Sequence, residues 1–205
     1  MNKVFTLLIA FFLLASAVVI GLWATGLVQF GPGSKTGSSS VVIAGAPQIG
    51  GPFELTNHKG EPVTNADFEG KLMLVFFGYT FCPDVCPTEM QTLSVAMQQL
   101  GDDGADVVPV FVTVDPKRDT VELMSEFVEA FHPSFVGLTG TEEQITDIKK
   151  KYKAYSQREE NGDPDYYLVD HTSYTYLMGR DGKLISVFSY GTPPEDMVTK
   201  IREEL

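Results

Sequence analysis

Cysteine is nearly missing from this 205-residue chain: there are two, at positions 82 and 86, and three histidines. A disulfide framework holding a small exported domain together needs more than that. A bridge between these two would close a loop of three intervening residues, and such a loop removes little unfolded-chain entropy. Positive charge is also scarce. Residues 1–40 hold two lysines and no acids, so the remainder carries 13 basic against 27 acidic residues, a net charge of −14. A domain of that charge does not seek nucleic acid or anionic lipid, although solubility alone accounts for the acidity. No internal repeat is present. No charged residue lies between Lys3 and Lys35.

That last gap carries a positive expectation. Val4 to Phe30 is almost wholly apolar, and a membrane-spanning helix needs about 20 apolar residues. A secretory signal peptide has an apolar core of only about 7–15 residues before small residues at a cleavage site. Ala15-Ser-Ala17 imitates such a site, but the run continues far beyond it. We therefore expect residues 1–30 to form an uncleaved, single-pass anchor. No cysteine follows the run, which excludes a bacterial lipoprotein anchor, and an Arg- and Ser-rich transit peptide is missing. Lys3 on the near side places the N-terminus in the cytoplasm by the positive-inside rule. The expected location is a bacterial inner membrane with the domain facing the periplasm. Residues 31–44, rich in Gly and Ser, read as a linker, and ten residues of this kind span roughly 17 Å.

Residues 45–205 read as one domain. Pro52–Thr56 and Glu61–Thr64 flank Asn57-His-Lys-Gly60, a hairpin signal. Leu72–Phe77 is an unbroken apolar run suited to a strand buried on both faces. Met90, Leu93, Val95, Met97 and Leu100 read as a helical period over Thr88–Leu100, ended by Gly101. Val107–Val114 is a second buried strand. Thr120–Phe131 is a helix with Asp119 as its N-cap. Phe135–Leu138 is a short strand, and a helix runs from Thr141 to about Tyr155. Residues 156–165 form a polar, turn-rich excursion. Ser173–Met178 and Leu184–Phe188 are strands joined by Gly179-Arg-Asp-Gly182, and Pro193–Glu204 is a terminal helix. This order predicts an α/β, thioredoxin-like fold with an N-terminal β-hairpin extension, its thiols following the first central strand.

The chemistry concentrates at Cys82-Pro-Asp-Val-Cys86. Thiols at a helix N-terminus meet unsatisfied backbone N–H groups and the positive end of the helix dipole, which stabilise thiolate. Pro83 and Pro87 stiffen the segment where a missing N–H costs little. Three intervening residues put the two side chains one helical turn apart on one face. Two sulfurs on one ion, with metal–sulfur bonds of about 2.3 Å, stand roughly 4 Å apart, and this spacing can supply that. A disulfide is also possible with local rearrangement. Cys82 and Cys86 are thus a redox pair or two metal ligands. Of the histidines, His58 in its turn reads as a surface residue and His132 beside Pro133 as a cap. His171, before the last hairpin, reads equally as a ligand or a packed surface residue.

Four segments together resemble one known family. Phe77-Gly-Tyr-Thr-Phe-Cys-Pro-Asp-Val-Cys-Pro-Thr-Glu89, Val114-Asp-Pro-Lys-Arg-Asp-Thr120, Val136-Gly-Leu-Thr-Gly140 and Tyr167-Leu-Val-Asp-His-Thr172 look like the Sco/SenC proteins, membrane-anchored thioredoxin-like copper proteins that help assemble the CuA centre of cytochrome c oxidase. The resemblance covers about residues 45–205. It implies Cys82, Cys86 and His171 as copper ligands, with the CuA-containing oxidase subunit and a periplasmic copper donor or thiol reductant as partners. Two thiolates and an imidazole are a soft, three-coordinate set suited to Cu(I) that also binds Cu(II), whereas structural zinc wants a fourth protein ligand. Asp84 and Asp170 read as groups orienting the ligands or as solvated acids. Asp115 and Arg118 belong to a matching motif as support for the loop or for a partner surface. Three functions compete: a copper metallochaperone, a thiol–disulfide reductase acting on the apo-oxidase, and a peroxidase. Against the last, peroxiredoxins carry threonine three residues before the reactive cysteine, and Pro83 stands in that position relative to Cys86.

Overall fold

At the centre of the sheet lies β3 (Leu72–Gly78), all seven residues of which are buried. The computed structural model describes residues 48–159 and 166–205. The expected anchor and linker therefore lie outside the described residues, as does most of the polar excursion. Among the described residues no helix is long and apolar enough to cross a membrane.

The first elements of the described residues are a hairpin of β1 (Glu54–Asn57) and β2 (Pro62–Thr64). Its turn is built by Asn57, whose Oδ1 accepts from the amides of Lys59 at 2.9 Å and Glu61 at 3.0 Å, with Gly60 at φ 81°, a conformation that glycine adopts without penalty. After β3 come α1 (Val85–Leu100), β4 (Val107–Thr113), α2 (Val121–Glu129), β5 (Val136–Thr139) and α3 (Glu142–Tyr152). Then follow β6 (Ser156–Arg158), β7 (Val169–His171), β8 (Thr175–Met178), β9 (Leu184–Phe188) and α4 (Pro194–Arg202).

Seven strands make one sheet in the order β2-β1-β5-β4-β3-β8-β9, while β6 and β7 pair separately. β3, β4 and β5 run parallel, and β8 and β9 close the sheet antiparallel. This is the thioredoxin-like α/β plan, with the hairpin added to the edge of β5. Alternation along β3 places helices on both faces. Phe76 packs on Phe111, which meets Phe127 of α2 at 5.0 Å, while Phe77 packs on Tyr152 of α3 at 5.4 Å. α1 packs with α4, and its buried residues include Met90, Leu93, Met97 and Leu100.

Three local expectations are corrected. α1 begins at Val85 rather than Thr88, because Pro87 in the first turn lacks only an N–H that has no helical partner there anyway. The cap of α2 is Thr120, whose side chain accepts from Leu123 N, not Asp119, which is turned inward. Ser156–Arg158, read as part of a polar excursion, is strand β6, pairing Ser156 with His171 and Arg158 with Val169. Its polarity is that of a two-stranded ribbon with one wet face.

Candidate metal centre

The site forms beyond the carboxyl end of β3, where open α/β sheets place their ligands. Gly78 ends the strand. A Cβ there would stand 2.6 Å from Cys86 Sγ and 2.8 Å from the Phe111 ring, so only glycine lets the thiol of α1 lie against the strand. The segment that follows is pinned from inside by Asp119. Its Oδ2 accepts from Thr80 N at 3.1 Å and Thr113 Oγ1 at 2.5 Å, and its Oδ1 accepts from Thr80 Oγ1 at 2.6 Å. Burial nevertheless pushes the Asp119 carboxyl above its usual range, since desolvation penalises the charged form.

Cys82 is partly exposed and Cys86 fully buried, and neither is in a disulfide. The Cys86 amide donates to Cys82 Sγ at 3.4 Å. The Cys86 thiol, then His171, then the amides of Asp84 and Cys86 stabilise the Cys82 thiolate and hold its pKa far below the usual thiol range. Burial, then the neighbouring Cys82 sulfur, pushes Cys86 strongly upward. The two sulfurs are thus driven apart, Cys82 toward thiolate and Cys86 toward thiol, as expected of close sulfurs sharing one set of donors.

His171 arrives from β7, 85 residues away in sequence, with Nε2 3.4 Å from Cys86 Sγ. Its Nδ1 lies 3.0 Å from the carbonyl of Thr172. An N–H on Nδ1 satisfies that carbonyl and leaves Nε2 as the ring nitrogen facing the sulfurs, the one a metal ion would take. The ring stands edge-on to Tyr79 at 5.7 Å and to Phe76 at 6.1 Å, which fixes its plane.

The sequence-derived trio thus converges: one donor atom from each of Cys82, Cys86 and His171 lies within 4.8 Å of the others. Metal–ligand bonds of about 2.0–2.3 Å put two donors on one ion roughly 4 Å apart, so shifts of less than about 1 Å would bring the three onto a single soft ion. No other such cluster of three occurs among the described residues. His132 stays apart and ties the turn after α2, its Nδ1 accepting from Ser134 N at 3.3 Å. His58 is not a surface residue. It is buried, and its Nδ1 accepts from the Gly137 amide at 3.1 Å, joining the hairpin turn to β5. Asp84 and Asp170 are both exposed.

Several contributors escaped the sequence reading. Gly78 was legible only as the glycine ending a buried strand. Tyr79 reaches across to β7, its hydroxyl accepting from Val169 N at 3.2 Å. Glu89 is fully buried on α1, accepts from Thr175 Oγ1 at 2.7 Å and is pushed up by burial. Asp115 and Arg118, named from the sequence without a settled role, are tied to each other and to Tyr167: Arg118 Nε donates to Asp115 Oδ2 at 2.5 Å, and Asp115 Oδ1 accepts from Tyr167 Oη at 2.8 Å.

Comparison with known proteins gives the family. The SCO1/SenC family model matches residues 42–205. The chain belongs to the SCO1/SenC family. It is similar to Protein sco1 of Schizosaccharomyces pombe, 42% identical over 193 residues, covering 92% of this chain and 73% of the relative. It is also 40% identical over 158 residues to a SCO2-like protein of Rickettsia conorii, covering 77% of each. Among solved structures, Bradyrhizobium japonicum ScoI with copper bound superposes with a TM-score of 0.72 at 39% identity, over 77% of this chain and 99% of that one. Arabidopsis thaliana ScoI with copper bound gives 0.70 at 39% identity, over 76% of this chain and 99% of that one.

Proposed function

We propose that this SCO1/SenC protein binds copper through Cys82 Sγ, Cys86 Sγ and His171 Nε2 and hands it to the CuA-containing subunit of cytochrome c oxidase. The observation that carries the reading is the convergence of these three donors within 4.8 Å. Two sulfurs and one imidazole select a soft ion, and an unfilled fourth position admits a recipient's ligand before the donors leave. The partly exposed Cys82 is the donor a recipient reaches first. The Nδ1–H bond from His171 to the Thr172 carbonyl keeps Nε2 available as the cargo comes and goes. Residues 1–30 anchor the protein in a bacterial inner membrane, 31–44 tether it and 45–205 work in the periplasm, where a copper donor or thiol reductant resets the site.

The test is titration of the reduced full chain with Cu(I) and Cu(II) beside His171→Ala. One copper per chain, with affinity at least tenfold weaker in the variant, is expected. Equal affinity in both proteins overturns the ligand set.

A second reading rests on the asymmetry of the pair, a partly exposed Cys82 with a lowered pKa beside a buried Cys86 with a raised one. In a thiol–disulfide reductase, Cys82 thiolate attacks a disulfide of the apo-oxidase subunit and forms a mixed disulfide, releasing one thiolate. Cys86 then gives up its proton to that leaving group and attacks Cys82 Sγ, releasing the second sulfur. The recipient disulfide gains two electrons and the Cys82–Cys86 pair is oxidised by two. Reduced cysteines are also needed before copper binds, so the two activities are compatible. A His171→Ala chain that loses copper but still reduces the recipient separates them. A peroxidase finds no support, because Pro83 occupies the position of the peroxiredoxin threonine.

A further inference from the structure

The three donors do not share one scaffold. Cys82 and Cys86 belong to the β3–α1 junction of the main sheet, whereas His171 belongs to the separate β6–β7 ribbon. Any force that keeps Nε2 near the sulfurs must be carried by what fastens that ribbon to the body. Along β7 and the three residues that lead into it, Tyr167 and Val169 are buried and His171 half-buried, while Tyr166, Leu168 and Asp170 are exposed, the alternation of an extended chain. Fixing Tyr167 therefore fixes where His171 emerges.

Tyr167 is fixed in an unusual way. The Arg118 guanidinium lies 3.6 Å from its ring centroid and that of Arg158 3.7 Å. Two planar cations that close to one ring must occupy opposite faces. The hydroxyl at the ring's edge donates to Asp115, which also receives Arg118 Nε. Arg118 reaches the other half of the site as well. Its guanidinium lies 4.9 Å from the ring of Phe81, the residue before Cys82, and 5.5 Å from Tyr79, on which His171 packs. Arg118 Nη2 is buried and has no hydrogen-bond partner. A guanidinium chosen for hydrogen bonding would not leave that donor idle, whereas one chosen for its flat faces among three aromatic rings would.

We infer that Arg118 is a positioning residue for the metal site: by stacking on Tyr167 it holds the His171 strand over the cysteine pair, and it acts on copper only through His171. This rests on the ligand set given above. The consequence is an asymmetric site in which two ligands are held by the body and the third by a cation–aromatic clasp that can be loosened separately.

The experiment is a double-mutant cycle on the reduced full chain with Arg118→Ala, His171→Ala and the pair, reading Cu(I) affinity by chelator competition. Unfolding by circular dichroism confirms that each variant is folded. Arg118→Ala is expected to weaken copper about tenfold in the native background and less than twofold in the His171→Ala background. Arg118→Lys is expected not to rescue, because an ammonium keeps the charge but cannot stack. Equal losses in both backgrounds, full rescue by lysine, or native affinity in Arg118→Ala each overturn the inference. Imidazole NMR signals of His171 in the metal-free protein give a readout that needs no copper. Broadening or displacement in Arg118→Ala supports the clasp, and unchanged signals overturn it. If His171→Ala alone leaves affinity unchanged, the ligand set fails, and the metal-free spectra still decide whether Arg118 positions the ring.

Discussion

Gly78 and Cys86 occupy one space: a β-carbon on the first would stand 2.6 Å from the sulfur of the second. The same atom would meet the Phe111 ring at 2.8 Å, so neither neighbour yields freely. Overpacking of a dense core costs about 1–3 kcal/mol. Gly78→Ala should lower stability by that amount in denaturant unfolding. It should also weaken copper binding, because the displaced atom is a donor. A variant with native stability and native affinity would show that the strand end has slack.

Asp119 holds Thr80, two residues before the other cysteine. Both its oxygens are occupied by donors, Thr80 Oγ1 on one and Thr80 N with Thr113 Oγ1 on the other. Asp119→Asn replaces one acceptor with an NH2 group that faces donors, and a buried donor without a partner costs about 1–3 kcal/mol. The near-isosteric change should therefore destabilise by about that amount, and hydrogen exchange at Thr80 N should quicken. Unaltered exchange at Thr80 would remove Asp119 from the support of the loop.

Most of the architecture was legible because its signals are local. The buried run of β3, the stripe of α1 and the hairpin turns each follow from residues a few positions apart. Thiol placement followed from the same logic. The inward turn of Asp119 was not legible: an acid one residue before a helix looks like a cap, and only the tertiary partners Thr80 and Thr113 draw it inside. His58 was misread for the same reason, since its partner Gly137 lies 79 residues away. The ribbon of β6 and β7 hid within a polar stretch because one face is solvated. His171 itself was equivocal until the family resemblance was added, since spacing of 85 residues carries no geometric information.

His58 makes stability depend on pH. Its Nδ1 must be unprotonated to accept from Gly137. Its pKa is lowered from 6.5, first by burial and then by Lys59, against opposing effects of Glu129, Gly137 and Glu61. The unfolded chain thus binds this proton at a higher pH than the folded one, so stability rises with pH in that window. The contribution is complete above about pH 7 and is lost as pH falls through 6.5 toward the folded value. The denaturant midpoint should drop between pH 7 and 5 more steeply in the native chain than in His58→Gln, whose amide does not titrate there. Parallel curves would assign the pH dependence to other groups.

The thiol pair should be chemically unequal in the reduced, metal-free protein. Cys82 is partly exposed and its pKa is depressed, chiefly by the Cys86 thiol and then by His171, while Cys86 is buried and raised. Alkylation by iodoacetamide consumes thiolate, so below its pKa an ordinary cysteine reacts about tenfold faster for each unit by which pH rises. Cys82 should instead react at a nearly constant rate from about pH 5 to 8, somewhat slowly because a low-pKa thiolate is a weaker nucleophile. Mass spectrometry should find one adduct, on Cys82, until the chain is unfolded. Cys86→Ala removes the largest stabilising contact and should restore a pH-dependent rate, whereas Cys86→Ser keeps a donor and should restore it only partly. A tenfold rise per pH unit in the native chain would mean that the helix terminus and its neighbours leave Cys82 an ordinary thiol, and the reductase reading would lose its nucleophile.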